Sequence, residues 1–147
     1  MSKRETPMTR WYWQQVGGTL IEEFCVVQRS RTCSVRLLDG VIIKDGPFRI
    51  ARQPEVSVEG KDVIVVQAKE RRLGMSVMGQ TFFSPQLMQL YNPRPRSVES
   101  VALVISDDEI LRPLLEQYPG MRVVVCPIRP SSARLPDTVE PGGPRGK

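Results

Sequence analysis

Asp62-Val63-Ile64-Val65-Val66-Gln67-Ala68-Lys69 is the stretch on which the reading of the whole chain turns. Four β-branched apolar residues in succession, entered past Gly60 and left through charge, specify a central strand buried on both faces. Side chains alternate along a strand, so Gln67 and Lys69 share one side with Val63 and Val65. A lysine at the exit of a buried strand is costly unless an opposite charge or a phosphate meets it. The flanking sequence can be searched for that partner.

Upstream, Val35-Arg-Leu-Leu-Asp39-Gly-Val-Ile-Ile43 forms a second strand. Asp39 has the parity of Val35, Leu37, Val41 and Ile43, a setting that disfavours aspartate unless its carboxylate is used. Asp45-Gly46 is a hairpin turn signal, and Phe48 to Gln53 is a more exposed strand that Pro54 ends or marks as an edge. The three strands are expected to form an antiparallel meander. Before them, Thr9 caps a helix expected to run to about Val27. Wound at about 100° per residue, Trp13, Val16, Leu20, Phe24 and Val27 make its core stripe, with Gly17 and Gly18 inside it. Glu22 lies opposite that stripe; Glu23 lies on its edge and borders the core.

Downstream, the pattern predicts a helical region over 74–91, divided by Pro85 with Ser84 as a second cap. Val98 to Ile105 is a strand. Ser106 and Glu109 form a capping box for a helix ending near Tyr118, and Met121 to Cys126 is the last strand. The order αβββαβαβ, with crossovers late in the chain, implies an α/β fold with a mixed sheet flanked by helices. Residues 1–8 are expected to be loose, 9–126 to form one domain, and the proline- and glycine-rich 127–147 to be disordered.

Composition narrows the function. The 147 residues are 40% hydrophobic, enough for a real core. The net charge of +5 favours a polyanionic partner. Three widely spaced cysteines, Cys25, Cys33 and Cys126, and no histidine argue against zinc and suit a reducing cytoplasm. No apolar run reaches the ~20 residues of a membrane span, and the polar N-terminus lacks a signal-peptide core. Gly17-Gly18 lacks the glycines and lysine of a phosphate loop.

Carboxylate and amide oxygens are hard ligands suited to Mg²⁺ or Mn²⁺, and a lysine beside them offsets charge growing on a phosphate. Such a site hydrolyses phosphodiesters without histidine or cysteine. The pattern Asp39 … Gln67-Ala68-Lys69, behind an element bearing Glu23, resembles the PD-(D/E)XK nuclease superfamily with its restriction-endonuclease-like fold. It is most similar to the Mrr-like branch that reads Gln-x-Lys. The resemblance covers about residues 9 to 105. It implies that Asp39 binds metal, that Lys69 is the catalytic lysine, that Gln67 takes the second acidic position, and that the Ala68 carbonyl completes the metal shell. Glu23 would be the helix glutamate of many members, with Glu22 as its substitute. Leu38 replaces the usual proline before Asp39, and Gln67 removes one negative charge from the site. The implied activity is Mg²⁺-dependent DNA cleavage, by a homodimer or with a targeting subunit. Arg29, Arg31, Arg71, Arg72, Arg94 and Arg96 are the candidate phosphate contacts. Gln67 motivates the alternative, a nuclease fold that only binds nucleic acid or protein. An unrelated α/β interaction module is a third possibility, and it predicts no cleft shared by Asp39 and Lys69.

Overall fold

Gly17 and Gly18 end the first helix. A computed structural model describes residues 5–127, with α1 over Thr6–Val16 and strand β1 over Thr19–Val27. Both glycines have positive φ, 81° and 83°, and the N–H of Gly17 closes the helix on the Trp13 carbonyl. The expected helix to Val27 is therefore overturned in its second half. Its apolar spacing fitted a helix by coincidence, while Thr19-Leu-Ile beyond the glycines and Phe24-Cys-Val-Val27 are strand formers. Residues 5–8, expected to be loose, enter α1, where Met8 is fully buried. The expectations for residues 1–4 and 128–147 lie outside the described residues.

The remaining elements are β2 (Arg36–Ile43), β3 (Arg49–Ala51), a 3-10 turn at Gln53–Glu55, β4 (Asp62–Ala68), α2 (Met75–Leu90), β5 (Ser97–Val104), α3 (Leu111–Glu116) and β6 (Met121–Val125). They build one six-stranded mixed sheet in the order β3-β1-β2-β4-β5-β6. β1, β2 and β4 are antiparallel, whereas β4, β5 and β6 are parallel. The meander expected after Asp45-Gly46 does not form. β3 crosses the sheet end and pairs with the far side of β1, in parallel. It remains a short edge, as Pro54 implied.

β4 is buried throughout from Val63 to Ala68. Ile64 and Val66 pack with Met8, Tyr12 and Trp13 of α1. Val63 and Val65 pack with Phe24, Val41 and Met88, the last on α2. The sheet thus carries α1 on one face and α2 on the other, with α3 extending the second layer through Leu115 against Val123. α2 runs unbroken through Pro85. Ser84 is not a cap; its hydroxyl donates to the Gln80 carbonyl inside the helix. α3 is capped by Asp108 rather than Ser106, since its carboxylate accepts from the N–H groups of Ile110 and Leu111.

Thr81 is the weak point of this layer. Its hydroxyl oxygen is buried and has no hydrogen-bond partner among the described residues. Thr81→Val keeps the shape and removes the unsatisfied group, so it should raise stability by about 1 kcal/mol. Thermal denaturation of the two proteins checks this; a lower melting temperature for the variant would contradict it.

Candidate active site

Asp39 occupies a fault in the sheet. Ile21 and Phe24 both pack in the core under α2, and so do their partners Val41 and Leu38. Residues three apart on a regular strand face opposite sides, so both strands switch face between these pairs. On β1 the switch falls at Glu23, whose φ is 53°. On β2 it falls at Asp39-Gly40. The parity reading that set Asp39 among Val35 and Leu37 is corrected here, because those two residues are exposed and Leu38 is the buried one.

The β2–β4 ladder ends at Gly40 opposite Val66. One step further, Asp39 stands across from Gln67. Its carboxylate takes the place of a backbone acceptor and receives the Ala68 N–H at 2.7 Å. In an extended strand the N–H and C=O of one residue project to the same side. The Ala68 carbonyl therefore faces the Asp39 edge, whereas the N–H of Lys69 turns away to Leu103 of β5. Gly40 lets α1 close over this point: a Cβ there would lie 3.0 Å from Thr9 Cγ2. That approach brings Glu5, at the start of α1, within electrostatic reach of Asp39.

Burial pushes the Asp39 carboxyl above its ordinary range. The Ala68 N–H pulls it down; the charge of Glu5 raises it and that of Lys69 lowers it. Lys69 is half-buried, within electrostatic reach of Asp39, and makes no ion pair among the described residues. Two strands thus bring an aspartate and a lysine to one end of the sheet.

The other predicted residues fall out differently. Gln67 is buried and points beneath α2, where its amide donates to Ser84 Oγ at 2.9 Å. Glu23 lies on a strand, not a helix, in the register position opposite Asp39. Glu22 is tied to Arg10 of α1 at 2.8 Å. Glu5 lies outside the expected helix, whose cap Thr9 comes four residues later; the helical spacing of Glu5 and Thr9 ahead of an aromatic run was the available signal. Among the described residues no group of three or more acidic, cysteine or histidine side chains converges. The oxygen groups that could hold a hard cation at this end are those of Asp39, Glu5 and the Ala68 carbonyl. Their oxygen chemistry fits Mg²⁺ or Mn²⁺.

The basic residues divide between the two ends of the sheet. Arg29 and Arg31, in the β1–β2 connection, and Arg71 and Arg72, after Lys69, lie at the end that holds Asp39. Arg94 and Arg96 precede β5 and belong to the opposite end. Arg96 grips Asp62 through both carboxylate oxygens, so Asp62 is paired rather than solvated, and its pKa is driven far down by Arg96. Those two arginines stand about one strand length from Lys69.

Among solved structures, the chain is similar to a repair endonuclease from Pyrococcus abyssi, with 14% sequence identity and a TM-score of 0.55. The match covers 88% of this chain and 48% of that one, so the chain spans about half the length of that structure. At this identity the likeness shows the fold: a nuclease-like α/β architecture with a mixed sheet flanked by helices. No protein-family model and no curated protein sequence matches the chain. Among the described residues no helix is long and apolar enough to cross a membrane.

Proposed function

We propose that the chain is a divalent-metal-dependent DNA endonuclease of the Gln-x-Lys type. One observation supports the reading: Lys69, just past β4, lies within electrostatic reach of Asp39, which is held partly buried against the Ala68 amide at a fault in the sheet. Asp39, Glu5 and the Ala68 carbonyl would hold Mg²⁺ or Mn²⁺. Bound there, the cation supplies Lewis acidity toward a phosphate oxygen and acidifies the attacking water. Lys69 offsets charge on the scissile phosphate and orients it against Asp39. The Ala68 N–H fixes the Asp39 rotamer. Arg29, Arg31 and Arg71, which have no ion-pair partner among the described residues, would meet a phosphate backbone at the same end.

Gln67 favours a second reading, a nuclease fold that binds without cutting. In the first reading it acts as a positioning residue that ties β4 to α2 through Ser84, rather than as a metal ligand. Calorimetric titration with Mn²⁺ separates the two. The endonuclease reading expects one site of uptake that Asp39→Ala abolishes. No uptake by the wild-type protein would leave only the binding module.

A further inference from the structure

At the Asp39 end the first two strands run on past their neighbours. The β2–β4 ladder stops at Gly40, and β3 accompanies β1 only as far as Ile21. Beyond those points β1 and β2 pair only with each other, through Phe24–Leu38, Cys25–Leu37 and Val27–Arg36. The result is a two-stranded ribbon. Its base is packed, since Phe24, Val26 and Leu38 are buried. Every residue from Gln28 to Leu37 is exposed.

The ribbon is braced at both ends. At its base the Gln53 carboxamide pairs with the Cys25 backbone as a neighbouring strand would, accepting its N–H at 2.8 Å and donating to its carbonyl at 3.0 Å. At its tip Ser30 Oγ accepts the N–H groups of Thr32 and Cys33, at 3.3 and 3.1 Å, and the Ser30 N–H donates to the Cys33 carbonyl. An arm already held in shape loses little entropy when it binds.

Composition decides what the arm meets. No acidic residue occurs between Glu23 and Asp39, and Arg29, Arg31 and Arg36 all fall in that interval. None of the three has an ion-pair partner among the described residues, whereas Arg10, Arg96, Arg112 and Arg122 are held by carboxylates. Gln28, Ser30, Thr32 and Ser34 alternate with the charges as neutral hydrogen-bonding groups. No aromatic residue lies between Cys25 and Leu38, so the arm offers no platform on which unpaired bases could stack. Arginines interleaved with small polar side chains suit the phosphate oxygens and base edges of a duplex. Width selects the groove: a two-stranded ribbon enters the major groove, about 12 Å wide, and not the minor groove of about 6 Å.

We infer that the β1–β2 ribbon is a duplex-binding arm that enters the major groove of DNA, with Arg29, Arg31 and Arg36 on the bordering phosphates, so that the substrate is double-stranded. Asp39 lies on the same strand, three residues past Arg36 or about 10 Å, so a duplex on the arm is brought beside the candidate site. Only that last step rests on the endonuclease reading.

The test is fluorescence anisotropy of a short labelled blunt duplex and of one of its strands alone, over a range of salt, in EDTA so that nothing is cleaved. The wild-type protein should bind the duplex more tightly than the strand. Arg31→Ala should weaken duplex binding and lower the steepness of its log–log salt dependence by about one, and the combined Arg29→Ala, Arg31→Ala, Arg36→Ala variant by about three. Arg49→Ala removes an exposed charge at the opposite end of the sheet, beside Thr19, and should change neither. Bulky 5-substituents on the pyrimidines, which fill the major groove, should abolish binding, and a minor-groove ligand should not. Failure of the wild-type protein to bind the duplex, tighter binding of the single strand, equal losses in Arg31→Ala and Arg49→Ala, or indifference to the major-groove substituents overturns the arm. Binding of polyglutamate as strong as that of the duplex, with the same arginine dependence, assigns the ribbon to an acidic protein and overturns it too. If Asp39→Ala abolishes cleavage while the triple variant binds and cuts like the wild type, the endonuclease stands and the arm falls. Arginine-dependent duplex binding by a protein that takes up no Mn²⁺ keeps the arm and removes the endonuclease.

Discussion

Lys69→Ala and Asp39→Ala should each lower Mg²⁺-dependent nicking of plasmid DNA by about a hundredfold or more. Lys69 makes no ion pair among the described residues, so its loss removes transition-state charge without orphaning a partner. Folding should be nearly unaffected. The pH dependence gives a finer signature. Cation binding needs the Asp39 carboxylate, and burial raises its pKa. Activity should therefore fall on the acid side at a pH above the usual carboxylate value of about 3.9, and more Mn²⁺ should push that limb lower. Lys69 holds the Asp39 pKa down. In Lys69→Ala the acid limb of the residual activity should move to higher pH. Movement the other way, or full activity in either variant, removes the assigned site.

Stability should respond with the opposite sign. A carboxyl whose folded pKa lies above its unfolded value binds protons more readily in the folded state. Its contribution to stability then falls as pH rises from the ordinary value through the raised one. Asp39→Asn keeps an oxygen to accept the Ala68 N–H and removes the buried charge. The variant should melt higher than the wild type at neutral pH and lose that advantage in acid. A residue that costs stability while it supports activity is what a functional site predicts.

The centre of the sheet was legible because β4 must satisfy both faces at once. Val63 to Val66 admit no amphipathic alternative, and a strand of that kind requires neighbours on each side and a layer above and below. Asp39 and Lys69 were legible for a related reason: each is a polar residue where the apolar pattern has no place for one. The helix–strand boundary at Gly17-Gly18 was not legible from spacing. Leu20, Phe24 and Val27 are spaced like a helical stripe yet share no face: β1 changes face at Glu23, so Leu20 packs toward α1 and Phe24 toward α2. That same fault hid the local neighbours of Asp39, and Glu23, expected on a helix, lies on β1. Periodicity assumes regular backbone; a bulge beside a site breaks the assumption where the chemistry lies. The partner of β3 was hidden too, since a turn signal gives a reversal of direction but not the strand it returns to.

Gly18→Ala should lower the melting temperature by about 10 °C, the equivalent of roughly 3 kcal/mol. Gly17→Ala is the internal comparison. Both residues have positive φ, so each substitution carries backbone strain of about 1 to 2 kcal/mol. Only Gly18 also meets a wall. A Cβ there would sit 2.3 Å from the Ile43 carbonyl oxygen and 3.2 Å from Ile42 Cγ2, whereas one at Gly17 meets nothing within 4 Å. The carbonyl is backbone at the end of β2, adjoining the Thr19–Ile43 pair that begins the β1 ladder, and it cannot yield without disturbing that pair. The Trp13 indole also donates to the Gly18 carbonyl at 2.7 Å, so a shift of Gly18 would loosen α1 from the sheet. Because α1 brings Glu5 within electrostatic reach of Asp39, a partly folded Gly18→Ala protein should, on the proposed function, bind Mn²⁺ more weakly as well as melt earlier. Equal melting temperatures for the two alanine variants would show that β1 does not depend on the close approach of Gly18 to Ile43.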